Sequence, residues 1–423
     1  MSILHKKLAT TVPALREERQ RLLEMHGDKT VAKVTVRQVI EGMRGVPALV
    51  CDTSYVDPKK GLIIRGTPVA HLAEKLPEEV FFLMVSGELP TAKELDTFRT
   101  DLTARPGVPD YVWGVLEALP GDTHPMTMLS TAVMAMGGTS VFRERYEKGL
   151  SRDKHWEAAL DDALNLVAVV PEIAGAIYRR RYGKGARIKP KKGLDWAASL
   201  AHMLGSDDET FSAYMRIATV VQSDHEGAHA SALTAHTVGS VLSDLYYAVP
   251  AGWNALAGPL HGLASQVCVN WVLKAIDTYG GPPNEDQIRE YARNTIDKGS
   301  VIPGYGHAVL RGQDPRYLAI LAFGEKNCSR DDVFKTVIHM SRVIPSILMD
   351  QGKVKNPWPN VDAINGALFR HFGITEVGFY TVFFAAAMTL GFSAQYVLNR
   401  ALNTRITRPR SVTTESLQKR FDA

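Results

Sequence analysis

Cysteine is nearly missing from this sequence: three residues in 423, Cys51, Cys268 and Cys328, far apart and odd in number. That excludes a disulfide framework and fits a reducing compartment. A surplus of one charge is missing too. Forty-nine basic and 45 acidic residues leave a net charge of +4, too little by itself to imply nucleic acid. No repeat of fixed period is visible, which sets aside solenoids and propellers. A secretory leader is missing: positions 1–27 have no apolar run, and Glu17, Glu18 and Glu24 alternate with arginines as on an exposed amphipathic helix. The same acids make a mitochondrial presequence unexpected. The chain is therefore expected in the cytoplasm, with the processed form of a matrix enzyme as the alternative.

What is present is ordinary in composition, 45% hydrophobic and 22% charged, and long enough for two or more domains. Residues 31–42 read as a strand entry, and 57–61 as a hairpin turn ending at Arg65-Gly66. Beyond Pro68, apolar residues recur at helical spacing over 72–86, 92–104, 111–118, 126–136 and 156–182, with a kink or break expected at Pro171. The spacing returns over 194–205, 211–222, 266–279, 286–298 and 333–352, the last interrupted by Pro345. A basic stretch, 178–193, carries no acid and lacks the interleaved aromatics of a nucleic-acid patch, so it reads as a solvated loop. Residues 377–398 carry no charge and match a bilayer in length, but Gly378, Thr381, Thr389, Gly391, Ser393 and Gln395 dilute them. A buried core helix is expected there, then an extended basic tail over 405–416. The fold class is mainly α.

The chemistry-bearing residues gather at sharp turns. His225-Glu226-Gly227-Ala228-His229 spells H-E-x-x-H, which on a helix would bind zinc. Alanines at 232 and 235 stand where a longer zinc motif needs glycine and histidine, and His236 misses by one, so no metal site is expected. Gly304-Tyr305-Gly306 lacks the other glycines of a phosphate loop. A lone histidine at a helix end is usually a structural hydrogen-bonder. His261 and His307 differ because each sits beside small residues that let a ligand approach the backbone. With Asp362 they form a set suited to enolisation: a carboxylate takes a proton from carbon, and neutral imidazoles stabilise the developing oxygen charges. Arg311, Arg316 and Arg408 add cations for carboxylated or phosphorylated substrates.

These motifs resemble the citrate synthase family in its eukaryotic-type branch. The resemblance is carried by Ser-Asp-His-Glu-Gly (223–227), Leu-Ala-Gly-Pro-Leu-His-Gly-Leu-Ala (256–264), Pro-Gly-Tyr-Gly-His-Ala-Val-Leu-Arg (303–311), Asp-Pro-Arg-Tyr (314–317), Pro-Asn-Val-Asp-Ala (359–363) and Arg-Pro-Arg-Ser (408–411), in order over about residues 5–418. It implies a nearly all-helical homodimer of the tricarboxylic acid cycle that condenses acetyl-CoA with oxaloacetate and hydrolyses the thioester, with no cofactor beyond the CoA substrate and no nucleic acid or membrane partner. It also implies a large domain (1–262 and 368–423), a small domain (263–367) and a site in the cleft between them. His261, His307 and Asp362 take the catalytic places. His225, Arg316 and Arg408, the last from across the dimer, take acceptor-binding places. Arg44, Arg152 and Arg311, with the loop Val301, Ile302, Pro303, Gly304, Tyr305 and Gly306, take CoA-binding places.

Two acceptor-side positions depart from the pattern. His229 stands where the family places asparagine, and Met388 where a buried helix carries an arginine that grips a substrate carboxylate. Losing a charged bond to a buried carboxylate costs about 2–5 kcal/mol of binding. Either His229 is protonated and replaces part of that charge, or the acceptor differs. The alternatives are an alkylcitrate or methylcitrate synthase, an enzyme using another 2-oxo acid, and a non-catalytic CoA-binding homologue.

Overall fold

The computed structural model describes residues 1–421, and helices carry its architecture. α1 (Ile3–His26) starts on Ser2, whose hydroxyl accepts from His5 N. Leu4, Leu8 and Val12 of this helix are buried, while its distal half is exposed. The strand entry expected at 31–42 is corrected: α2 (Val36–Ile40) forms there. Thr35 and Gln38 make a capping box, each satisfying the other's backbone N–H. β-branched residues make a strand only beside a partner, and among the described residues no strand pairs with this segment. The hairpin at 57–61 is present. β1 (Ser54–Asp57) and β2 (Gly61–Ile64) pair antiparallel with Asp57 opposite Gly61, and β3 (Thr67–Pro68) completes the sheet. The Asp57 carboxylate accepts from Lys59 N and Lys60 N and so shapes the turn.

Helical spacing is realised in α3 (Pro77–Ser86), α4 (Ala92–Thr103), α5 (Asp110–Ala118) and α6 (Pro125–Ala135). The first of these starts later than expected because Pro77 opens it. After α7 (Val141–Glu147), α8 (His155–Arg181) runs through Pro171, where a kink or break is expected. Pro171 has no N–H for the Val167 carbonyl. That carbonyl accepts instead from Trp196 Nε1, at 2.9 Å, on α9 (Trp196–Leu204). The basic stretch is braced rather than merely solvated. Lys184 pairs with Glu376 at 2.6 Å, Arg187 pairs with Glu172 at 2.6 Å and lies over Trp113, and Arg180 donates to the carbonyls of Glu117 and Leu119.

α10 (Glu209–Val221) leads through a loop to the packed pair α11 (Ala230–Ser240) and α12 (Leu245–Leu256). Then follow α13 (Ala264–Tyr279), α14 (Glu285–Asp297), α15 (Pro315–Asn327), α16 (Asp332–Gln351) and α17 (Asp362–His371). α16 continues past Pro345, against expectation. α13, α14, α16 and α17 pack largely on one another, and α15 joins them to α10. The charge-free stretch becomes α18 (Tyr380–Ala401), buried among α8, α12, α3 and α11. Val377–Ala401 is long and apolar enough to cross a membrane, and most of it lies inside the molecule. The tail beyond it is extended until α19 (Thr414–Phe421), a helix that begins before the expected extended segment ends.

Candidate active site

The loop between α10 and α11 is held from below by a buried acid. Asp224 accepts from Thr53 Oγ1 at 2.6 Å, from Gln395 Nε2 at 2.8 Å and from His225 N at 3.0 Å. Burial raises its pKa, while these donors favour the charge. The loop lies directly on α18 because residue 391 is glycine. A Cβ there would sit 2.5 Å from the Ser223 carbonyl oxygen, which accepts from Gly391 N. Glu226 is in the left-handed region (φ 60°), with its N–H donated to Ser54 Oγ. The H-E-x-x-H pair is therefore not on a helix: His225 is in this loop and His229 is the N-cap of α11, with ring centroids 6.0 Å apart. Among the described residues no group of three or more His, Cys, Asp or Glu is arranged to hold a metal ion.

Four imidazoles form a chain. His307 lies 5.7 Å from His225, His225 lies 6.0 Å from His229, and His229 lies 5.4 Å from His261, all between ring centroids. His261 sits in the turn between α12 and α13, held where its own N–H meets Gly258 O and Gly262 N meets Leu256 O. Ser231 Oγ lies 2.8 Å from His261 Nε2 and 3.0 Å from His229 Nδ1, and those two nitrogens are 3.4 Å apart. His307 Nδ1 accepts from Val309 N and Leu310 N, so the proton of the neutral ring is on Nε2. Burial lowers the pKa of all four rings. His307 is brought to about 4, with the Arg316 charge as the second cause, and His229 to about 3, with His261 and Arg316 contributing. A protonated His229 is thereby corrected: the ring is neutral, since a charge there would be buried beside an arginine.

Asp362 opens α17. Its Oδ1 accepts from Ser265 Oγ at 2.6 Å, and its N–H is donated to Asn360 Oδ1. Burial raises its pKa, opposed by Ser265 and then by Arg316. The same Asn360 ties Asp362 to the His307 loop, because Asn360 N donates to Gly304 O and Asn360 Nδ2 to Gly306 O. Tyr305 bridges Pro359 in the same pairing. Arg316, 8% exposed, forms a double contact with Asp314: Nη2 to Oδ2 at 2.8 Å and Nε to Oδ1 at 3.0 Å. Asp314 also caps α15 and accepts from Val361 N. Sequence reasoning missed Ser231, Ser265, Asp314 as the arginine's holder, and Asn360. Their types are common, and only the faint signal of two serines a few residues from the site histidines points to them.

Other expected residues lie apart. Arg44 and Arg408 are exposed. Arg152 is exposed and donates to Asn403 O at 3.0 Å. Arg311 is folded onto the carbonyls of Ala308, Val309 and Leu310. In the 301–306 loop, Val301 is exposed, Ile302 and Gly304 are buried, and Pro303 O accepts from Cys268 Sγ. Gly306 N donates to Trp358 O. Met388 is fully buried, one turn before Phe392 on the face of α18 that also carries Gly391 and Gln395. Phe392 packs near His229, and Met388 precedes it by one turn of α18.

The family model described as citrate synthase, C-terminal domain, matches residues 42–410. The chain belongs to the citrate synthase family. It is 41% identical to citrate synthase 4, mitochondrial, of Arabidopsis thaliana, over 98% of this chain and 90% of that one. It is 40% identical to the mitochondrial citrate synthase of Daucus carota, over the same shares. Among solved structures, citrate synthase from Pyrobaculum aerophilum superposes with a TM-score of 0.79 at 29% identity, covering 91% of this chain and 95% of that one. A Thermoplasma acidophilum citrate synthase, solved as a ternary complex with carboxymethyl coenzyme A and oxaloacetate, shares the fold with a TM-score of 0.76 at 23% identity, covering 88% and 95%. The chain is thus a citrate synthase-type acyltransferase with the family's helical fold. The expectation of a cytoplasmic protein is corrected: these curated relatives are mitochondrial by name. Glu17, Glu18 and Glu24 belong to α1 of the fold, so their acids carry no information about a leader.

Proposed function

We propose that Asp362, His261 and His307 divide the chemistry of condensing acetyl-CoA with oxaloacetate and hydrolysing the thioester to citrate and CoA. The observation that carries this reading is common to all three side chains. Each has one side tied by the protein: Asp362 by Ser265, His261 Nε2 by Ser231, and His307 Nδ1 by two backbone N–H groups. Asp362 removes a proton from the acetyl methyl, and its burial makes it a stronger base than an exposed carboxylate. His261 donates from Nδ1 to the enolate oxygen, and His307 donates from Nε2 to the 2-oxo carbonyl. The enol carbon bonds to the carbonyl carbon, and water then cleaves the thioester. His225 and Arg316 bind the acceptor, with Arg408 of a second copy completing its charge. Arg44, Arg152 and Arg311, with Val301 to Gly306, bind CoA. The large body is 1–262 with 368–423 and the smaller is 263–367, in agreement with the mutual packing of α13, α14, α16 and α17. No cofactor beyond the CoA thioester is proposed.

A second reading has its own observation. With Met388 buried and His229 neutral, neither of these two positions offers a cation to a second carboxylate. An acceptor with a smaller or uncharged end needs no cation there. Thiol release from acetyl-CoA against a panel of 2-oxo acids tests both. Highest kcat/KM on oxaloacetate supports the first reading, highest kcat/KM on a monocarboxylic 2-oxo acid supports the second, and no release with any acceptor overturns both.

A further inference from the structure

His229 holds the least explained polar atom of the site. Its Nε2 is buried without a hydrogen-bond partner among the described residues, while its Nδ1 shares Ser231 Oγ with His261 Nε2. Ser231 is wholly buried and has one proton to give. Two arrangements satisfy the triangle. In the first, His229 Nδ1–H donates to Ser231 Oγ, the serine hydroxyl donates to His261 Nε2, and the His261 proton sits on Nδ1. In the second, every bond is reversed. The serine donates to His229 Nδ1, His261 Nε2–H donates to the serine, and His261 Nδ1 is left with a lone pair.

The second arrangement puts an N–H on the partnerless His229 Nε2. A buried orphan N–H is the costlier of the two vacancies. Arg316, whose charge reaches His229, also favours a lone pair there over a donor. The first arrangement therefore holds, and it leaves His261 as a donor at Nδ1, which no protein group among the described residues engages. Resting on the reading of His261 as the enol-side donor, we propose that His229 is a positioning residue which, through Ser231, sets the tautomer of His261. A carboxylate seated on His229 Nε2 would favour a proton there, taken up from water as it enters. The His229 Nδ1 proton would pass to the serine side, the serine proton to His261 Nε2, and the His261 Nδ1 proton to the cleft, so charge balances and the donor is lost. His229 is consequently not a carboxylate ligand; the acceptor's charge is held elsewhere.

The test combines nitrogen-15 NMR of labelled histidine with steady-state kinetics on acetyl-CoA and oxaloacetate. The free wild-type protein is expected to show His261 protonated at Nδ1. His229→Leu removes the donor to Ser231. It should give His261 a mixed or Nε2–H tautomer and a kcat about tenfold lower. Both KM values should stay within about twofold, since uniform binding is untouched. His229→Asn, whose amide nitrogen sits where Nδ1 sat and donates only, should restore the Nδ1–H tautomer and most of the lost kcat. If His229→Leu fails to fold, Ser231→Ala and His229→Asn carry the same comparison. An unchanged His261 tautomer in His229→Leu, or a large rise in oxaloacetate KM at constant kcat, overturns the relay. Retained turnover in His261→Ala overturns the underlying catalytic reading instead, whatever the NMR shows.

Discussion

Asp362 and Arg311 sit within one linked pair of loops and are expected to fail differently. Asp362→Asn keeps the acceptor for Ser265 Oγ and removes only the base, so kcat should fall at least ~10²-fold with acetyl-CoA KM little changed. Near-normal turnover would take Asp362 out of the mechanism. Arg311 is now spent on its own loop's carbonyls, and binding a CoA phosphate requires it to turn outward. Arg311→Ala should raise the KM for acetyl-CoA more than that for oxaloacetate, with the difference shrinking at high salt. Equal effects on the two KM values would count against a CoA contact. At this scale the sequence was legible for residues whose type is rare beside a turn, such as His261, His307 and Asp362. It was not legible for Ser231 and Ser265, which matter only through where their hydroxyls end up.

α18 shows why an element can be recognised and still be incompletely read. Its charge-free stretch is apparent from composition, but its role as the floor of the site depends on one glycine meeting a loop far away in sequence. Gly391→Ala places a Cβ against the Ser223 carbonyl and against the Asp224 carboxylate, the latter fixed by Thr53 and Gln395. The variant should lose about 1–3 kcal/mol of stability, measured by denaturant unfolding, and lose activity by displacing His225. A fully stable and active Gly391→Ala would show that the loop moves freely. α11 escaped the sequence reading because its residues are small and mixed, with no apolar stripe, and it is stabilised by burial against α12 and α18. At Pro171 the helix runs on without a break, and the carbonyl that the proline frees is satisfied by Trp196.

For the whole molecule, buried titratable groups pull stability in opposite directions with pH. The depressed pKa values of His229 and His307, about 3 and 4, mean that the unfolded chain binds protons the native state refuses. Their contribution is full above about 6.5 and is lost as pH falls toward 4. Glu78 acts oppositely. It is buried, Oε2 has no partner among the described residues, and burial followed by Asp195 raises its pKa to about 7. Its contribution is full below the unfolded value of about 4.5 and is lost as pH rises through 7. Glu78→Gln keeps the acceptor for Trp196 N and removes the titration. Relative to wild type, its stability should improve by up to about 3 kcal/mol between pH 4.5 and pH 8, by urea unfolding at each pH. Parallel pH curves for the two proteins would place the Glu78 pKa near normal. The proposed use of Arg408 by a neighbouring site also requires a dimer; a catalytically competent monomer by light scattering would exclude it.

The sequence alone determined the fold class and pointed to the candidate chemical parts. Helical period, the uncharged core stretch and the turn-bound histidines and aspartate depend on local spacing and residue type, which a linear reading preserves. Only the tertiary structure decided that His229 is a neutral helix cap rather than a cation, that Ser231 links it to His261, and that Arg316 is held by Asp314. Each of these depends on groups being brought within about 3 Å with water removed, where a hydrogen bond or a buried charge acquires an energy that it lacks in the extended chain.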